Sequence, residues 1–157
     1  MTRNSTTLRL TSENDTAHLG QTLAAFAKAG DCILLRGQIG AGKSALARAF
    51  IRALLGPETE VPSPTFTLVQ TYELDEVEIW HADLYRLGDV QEAVELGLTE
   101  AFDSQICLIE WPELLGDLTP ETALDVELVV KRDCHLATLS YGENWRDRLS
   151  GAIADAQ

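Results

Sequence analysis

Basic side chains are scarcest where this 157-residue sequence is richest in acid. From Glu58 to Glu127 there are 18 acidic residues and one base, Arg86, a net charge of −17; the remainder has 7 acids and 11 bases, net +4. Nucleic-acid and anionic-lipid phosphates are gripped by Lys and Arg, so this balance excludes a protein that coats DNA or RNA alone or clings to an anionic membrane. Long apolar runs are also lacking. No stretch approaches the roughly 20 apolar residues of a membrane span, and MTRNSTTLRLTSEND holds no apolar core of signal-peptide length, so a cytoplasmic protein is expected. Cysteine is sparse: Cys32 and Cys107 sit in apolar runs and Cys134 in KRDCHL, with no C-x-x-C spacing, which reads as reduced structural thiols. Adjacent Cys134 and His135 without a second ligand pair are weak evidence for a metal site.

What is present is globular. A hydrophobic share of 45% excludes wholesale disorder. No repeat or Pro/Ser-rich linker interrupts residues 1–157, which read as a single domain. Residues 6–10 predict a short strand, and Ser12–Ala29 a helix with a capping-box-like start (SEND), an apolar stripe and Gly30 as its stop. Cys32-Ile33-Leu34-Leu35 and Ile106-Cys107-Leu108-Ile109 are continuous apolar runs, as in strands buried on both faces. Ser44–Leu55 predicts a helix. Thr65–Glu73 and Val77–His81 predict strands joined by a turn, and residues 89–102 one or two short helices. Ala123–Val130 and Leu136–Tyr141 predict late strands, antiparallel to each other, before a closing helix over Asn144–Ala154. The class expected is α/β: a three-layer α/β/α domain of the P-loop NTPase kind, its central sheet mostly parallel.

The chemistry concentrates in Gly37-Gln38-Ile39-Gly40-Ala41-Gly42-Lys43-Ser44. It fits G-x-x-x-x-G-K-[ST] at every fixed position, directly after a predicted buried strand and directly before a predicted helix. The bland alternative is a glycine-rich turn that happens to contain Lys-Ser. In the functional reading, backbone N–H groups converge on phosphate, Lys43 supplies a point charge, and the Ser44 hydroxyl ligates Mg²⁺. A P-loop also needs a carboxylate on a neighbouring strand. Glu110 follows ICLI and Asp83 follows IWHA; the alternatives are a solvated strand-end carboxylate and a turn-capping Asp. For His81 the two readings are a ligand and a packed side chain, and taken alone it reads as packing. Pro62-Ser63-Pro64-Thr65-Phe66 cannot continue a helix, and its two hydroxyls suit a switch-like loop as well as a plain connection. Trp111, beside Glu110, either packs at the mouth of the site or caps the sheet.

No N-K-x-D follows the P-loop, which favours ATP over GTP. No separate lid or Arg-rich middle is present, which counts against a kinase clamping two phosphorylated substrates. Any arginine finger is Arg86, comes from the flanks, or arrives from a partner.

GQIGAGKS, SPTFTLVQTY, HADLYRL and LIEWPE, in this order, resemble the TsaE family of small bacterial P-loop ATPases over roughly Ser12–Pro120. The resemblance implies a part in threonylcarbamoyl modification of adenosine next to the tRNA anticodon, with TsaD-like and TsaB-like partners, tRNA being met only through that complex. It implies that Gly37, Gly40, Ala41, Gly42, Lys43, Ser44 and Ala45 surround the phosphates and that Thr65 lies in the switch-like loop. Asp83 and Glu110 would serve magnesium and water together with Ser44, Lys43 would be catalytic, and Trp111 would lie beside the nucleotide. The family loop usually reads G-[DE]-L-G-A-G-K-T-T. Here Ala45 lacks a hydroxyl that commonly contacts the α-phosphate, an expected loss of about 1.5–3 kcal/mol where nothing replaces it.

The leading expectation is an ATP-hydrolysing subunit that resets its complex between turnovers. The alternatives are a small-molecule kinase and a nucleotide-gated binding module without turnover. The acidic middle would form a face for a basic partner surface, or serve only solubility.

Overall fold

The apolar runs at Cys32 and Ile106 are too short for helices, and they pair as neighbouring central strands. The computed structural model describes residues 3–156. Strands β1 (Asn4–Leu10), β2 (Cys32–Arg36), β3 (Val69–Leu74), β4 (Val77–Asp83), β5 (Ile106–Glu110), β6 (Leu124–Val130) and β7 (His135–Tyr141) form one sheet in the order β1-β7-β6-β2-β5-β4-β3. The centre, β6-β2-β5-β4, is parallel; β1 and β7, β6 and β7, and β3 and β4 pair antiparallel. The helices are α1 (Glu13–Phe26), α2 (Lys43–Leu55), α3 (Gln91–Glu95), α4 (Leu98–Ser104) and α5 (Glu143–Ala156), with a 3-10 segment at Pro112–Leu118.

Period-two alternation divides the core between two faces. Ile33 and Leu35 of β2 join Leu23 of α1, Phe50 of α2 and Trp145 of α5 on one side; Cys32 and Leu34 join Ala93 of α3 and Phe102 of α4 on the other. On β1, β6 and β7 the pattern differs: Leu8, Val126 and Leu139 are buried, while the alternate residues Thr7, Arg9 and Glu127 are exposed. The expected three-layer α/β/α arrangement therefore has its two helical layers over the parallel strands. All three expected cysteines are free thiols, and Cys32 and Cys107 are buried. Burial pushes the Cys107 thiol up to about 12.

Several element limits differ from the sequence reading by one to four residues, and two of the differences have a visible cause. The helix expected to reach Ala29 ends at Phe26, with Ala27 already extended at φ −76°, ψ 148°. The cause is Asp31, whose carboxylate accepts from the Lys28 N–H (2.7 Å) and from both terminal nitrogens of Arg148 on α5 (2.6 and 3.1 Å), while Arg148 also donates to the Phe26 carbonyl. A bidentate pair of this kind holds the chain off the helical path. The strand expected from Thr65 begins only at Val69. The Leu68 N–H donates to the Pro64 carbonyl (2.7 Å), and Leu68 itself has φ 69°, so residues 64–68 turn despite their β-forming side chains.

Gly20 fixes how closely α1 approaches α2. A Cβ there would lie 2.6 Å from the Leu46 carbonyl oxygen. Helix propensity alone favours Ala over Gly by about 1 kcal/mol, but a backbone clash forces the helices apart at about 1–3 kcal/mol. Gly20→Ala is therefore expected to lower stability in urea denaturation, and an unchanged or raised midpoint would show that the interface can yield.

Candidate functional site

The C-terminal ends of β2, β5 and β4 open onto one crevice, as parallel strands position a ligand site. From β2 the chain enters the glycine-rich loop and then α2. Gly42 is the N-cap of α2 with φ 107°, a left-handed conformation that costs glycine no Cβ strain, and no side chain caps the helix. The first-turn N–H groups of a 13-residue helix therefore have no capping acceptor from the protein and carry the helix's partial positive charge. Lys43 follows, 5% exposed, its ammonium donating to the Gly37 carbonyl and lying 3.4 Å from the Trp111 ring centroid. Burial lowers its pKa; Glu110, Asp83 and Glu113 pull the other way.

Strand register brings the two carboxylates together. Asp83 is the pairing partner of Glu110 at the ends of β4 and β5, so both project from the same side of the sheet. Glu110, 2% exposed, accepts from the Ser44 hydroxyl (3.2 and 3.4 Å) and from His81 Nε2 (2.6 Å). An ionised carboxylate only accepts, so Nε2 carries the proton of this bond, and the buried Nδ1 has no hydrogen-bond partner. Asp83 accepts from the Tyr85 N–H (3.0 Å) and the Thr65 hydroxyl (3.3 Å), and Thr65 is 2.7 Å from Ser63 Oγ. The Pro62–Phe66 segment is thus tied to the carboxylate end of β4.

Trp111 has φ 58°, ψ 52°, rare for a bulky residue and further disfavoured before a proline. Its ring lies 4.8 Å from that of Tyr85, tilted by 47°. The positive φ turns the chain immediately after Glu110 and sets the indole over Lys43.

Of the residues singled out in the sequence, Gly40, Gly42, Lys43, Ser44, Ala45, Thr65, Asp83, Glu110 and Trp111 line one cavity of about 300 Å³. Gly37 and Ala41 are not on that lining. Gly37 contributes its carbonyl to Lys43, and Ala41 is buried with its carbonyl 2.9 Å from His135 Nδ1.

Two histidines named in the sequence have contacts that it did not reveal. His81 lies two residues before Asp83 and on the same strand face, a period-two signal that could have revealed it. His135 is 94 positions from Ala41, and no local pattern announces that bond. The weak reading of Cys134 and His135 as metal ligands finds no support: among the described residues, no group of three or more His, Cys, Asp or Glu side chains converges on a metal position. A hard cation here would have Ser44, Asp83 and Glu110 as oxygen donors, completed by phosphate and water. That suits magnesium, which typically takes one or two carboxylates and keeps much of its water.

A family model described as threonylcarbamoyl adenosine biosynthesis protein TsaE matches residues 10–136. The chain is 40% identical over 137 residues to the tRNA threonylcarbamoyladenosine biosynthesis protein TsaE of Rickettsia felis, covering 85% of this chain and 80% of that protein. It is 38% identical over 125 residues to the protein of the same description in Bacillus subtilis, covering 79% and 76%. The crystal structure of Bacillus subtilis YdiB superposes with a TM-score of 0.82 at 25% identity, spanning 100% of this chain and 99% of that one. The matched region extends beyond the motifs read in the sequence and includes His135.

The His81–Glu110 bond is buried and charge-assisted. His81→Ala is expected to lower unfolding free energy by about 1.5–3 kcal/mol, and His81→Gln, which can still donate, by less. Equal stability of all three proteins in urea would show that Glu110 needs no support from His81.

Proposed function

Because the chain belongs to the TsaE family of tRNA threonylcarbamoyladenosine biosynthesis proteins, we propose that its crevice binds ATP with magnesium and hydrolyses it to ADP and phosphate. The observation that carries this reading is the convergence of an uncapped helix N-terminus, Lys43, Ser44, Asp83 and Glu110 on one cavity. Water attacks the γ-phosphorus in line, the bond to the bridging oxygen of ADP breaks, and the charge is stabilised by fixed donors. Lys43 exchanges the Gly37 carbonyl for β- and γ-phosphate oxygens, and the first-turn N–H groups of α2 hold the α- and β-phosphates. Ser44, Asp83 and Glu110 would hold magnesium, which when bound neutralises phosphate charge. Asp83 and Glu110 also orient the attacking water, and His81 keeps the Glu110 carboxylate in place.

Arg86 does not line this cavity. Its guanidinium lies 4.7 Å from the Phe66 ring centroid, so a second transition-state cation requires movement of the Thr65–Phe66 segment or a partner's side chain. Ile39 and Phe66, about four-fifths exposed at the crevice rim, offer a partner apolar contact. These features support slow turnover alone and stimulation by TsaD-like and TsaB-like subunits, which hydrolysis resets between turnovers. The role is in the cytoplasm, with tRNA held by the complex rather than by this acidic chain. No helix among the described residues is long and apolar enough to cross a membrane.

Phosphate release from ATP, measured with and without the partner subunits, tests the proposal. Lys43→Ala is expected to reduce it at least about 100-fold without changing the far-ultraviolet circular dichroism spectrum, and chelation of magnesium should abolish it in the parent protein. A Lys43→Ala variant with full activity would sink the assignment.

A further inference from the structure

The glycine-rich loop is bordered by two strands that lie far from it in sequence. A Cβ on Gly37 would meet the Leu128 carbonyl oxygen of β6 at 2.6 Å, and one on Gly42 would stand 4.0 Å from His135 Nδ1 of β7. Both strands therefore touch the loop close to its bend into α2.

The glycines themselves leave the peptide planes of the loop free to rotate. Gly40 has φ 87° and Gly42 φ 107°, and nothing lies within 4 Å of a Cβ built on Gly40. Glycine takes positive and negative φ about equally well, so residue preference does not select one orientation of the Ala41–Gly42 peptide. For an anion the orientation matters. The Ala41 carbonyl and the Gly42 N–H point in opposite directions across a planar trans peptide. A flipped peptide would turn oxygen, not N–H, toward phosphate.

The hydrogen bonds to the loop carbonyls identify what selects the orientation. The Gln38 carbonyl accepts from the Ala41 N–H (3.0 Å), and the Gly42 carbonyl from the Leu46 N–H (2.9 Å). Side chains hold two others: Lys43 donates to the Gly37 carbonyl, and His135 Nδ1 to the Ala41 carbonyl at 2.9 Å. A carbonyl only accepts, so Nδ1 carries the proton. The Lys43 bond is given up when phosphate takes the ammonium, whereas the His135 bond faces β7 and persists. Among the described residues it is then the one side-chain tie left on a loop carbonyl.

We propose that His135 is a positioning residue for the phosphate loop: by holding the Ala41 carbonyl toward β7, it keeps the Gly42 N–H turned to the anion. The inference rests on the P-loop reading above. It gives the strand after the β6–β7 hairpin, which carries none of the family-like motifs, a part in phosphate binding that works through Ala41 and not by touching the ligand.

Calorimetry on the full-length chain, with Mg-ATP and with magnesium and inorganic tripolyphosphate, tests this. His135→Ala removes the donor and should weaken both ligands by the same factor, about three- to tenfold. His135→Asn places an amide nitrogen near the position of Nδ1 and should return both affinities to within about twofold of the parent. His135→Gln keeps the bulk of the side chain but carries its amide one carbon further out, and should behave like His135→Ala. Urea midpoints establish that each variant is folded, and the Asn and Gln variants alone decide the matter should the Ala variant not fold. Lost ATP affinity with unchanged tripolyphosphate affinity would overturn the proposal, because the ring would then act on the nucleoside. Unchanged affinities in His135→Ala, or equal weakening by Asn and Gln, would overturn it as well, with the P-loop reading intact. A parent chain that binds neither ligand would overturn both.

Discussion

A carboxylate 2% exposed to solvent sits at the end of β5, and the arrangement of the crevice follows from keeping it there. Removing Glu110 from water is costly unless hydrogen bonds replace hydration. Two do so, from Ser44 at the start of α2 and from His81 within β4. Each comes from a different element on a neighbouring strand or its following helix, so Glu110 is satisfied only if β2, β5 and β4 lie side by side in their observed register. The same register that pairs Leu35 with Glu110 pairs Glu110 with Asp83. Fold and site therefore share one constraint: a slip of a single residue would turn the carboxylates to the opposite face.

Around this fixed centre, the remaining parts are held by the chain's own contacts. Thr65 reaches Asp83 only because residues 64–68 leave the strand conformation that their composition favours. Trp111 reaches Lys43 only by adopting a left-handed conformation before a proline. Such conformations typically cost about 1–3 kcal/mol and persist where surrounding packing determines them. Here the Tyr85 ring and the Lys43 ammonium are the groups packed on the indole. Two local departures from backbone preference thus border the cavity of the carboxylate pair, one bringing a hydroxyl and the other an aromatic face.

This division explains what was legible in the sequence. The P-loop, the two doubly buried strands and the strand-end positions of Asp83 and Glu110 are local patterns, and each stands where its pattern placed it. The β3 start at Val69 was not legible, because the Leu68–Pro64 turn and the Thr65–Asp83 bond override the β propensity of residues 65–68. The end of α1 at Phe26 was hidden for a similar reason: Arg148, 117 positions beyond Asp31, decides it. His135 reaches the glycine-rich loop through a contact with Ala41, 94 positions earlier in the chain. No motif around Lys131–His135 has the density of signal found in GQIGAGKS, and only the sheet order, with β6 beside β2, brings that hairpin to the loop.

Charge gives the crevice its polarity. Within it, two carboxylates outnumber one lysine, and burial of that lysine disfavours its charge more strongly than the carboxylates favour it. A polyphosphate entering such a site would meet net repulsion from the side chains alone, partly offset by the N-terminus of α2. Anionic oxygens near Lys43 would favour its charged form, replacing one carbonyl dipole from Gly37 with full negative charge. Further positive charge must accompany the phosphates, because Asp83 and Glu110 cannot supply it and the chain's one base between residues 58 and 127, Arg86, rests on Phe66 outside the cavity. For the proposed ATP hydrolysis, a crevice lined by two carboxylates and one lysine is short of cationic side chains. Under that proposal, the shortfall favours charge brought by a divalent cation and a partner.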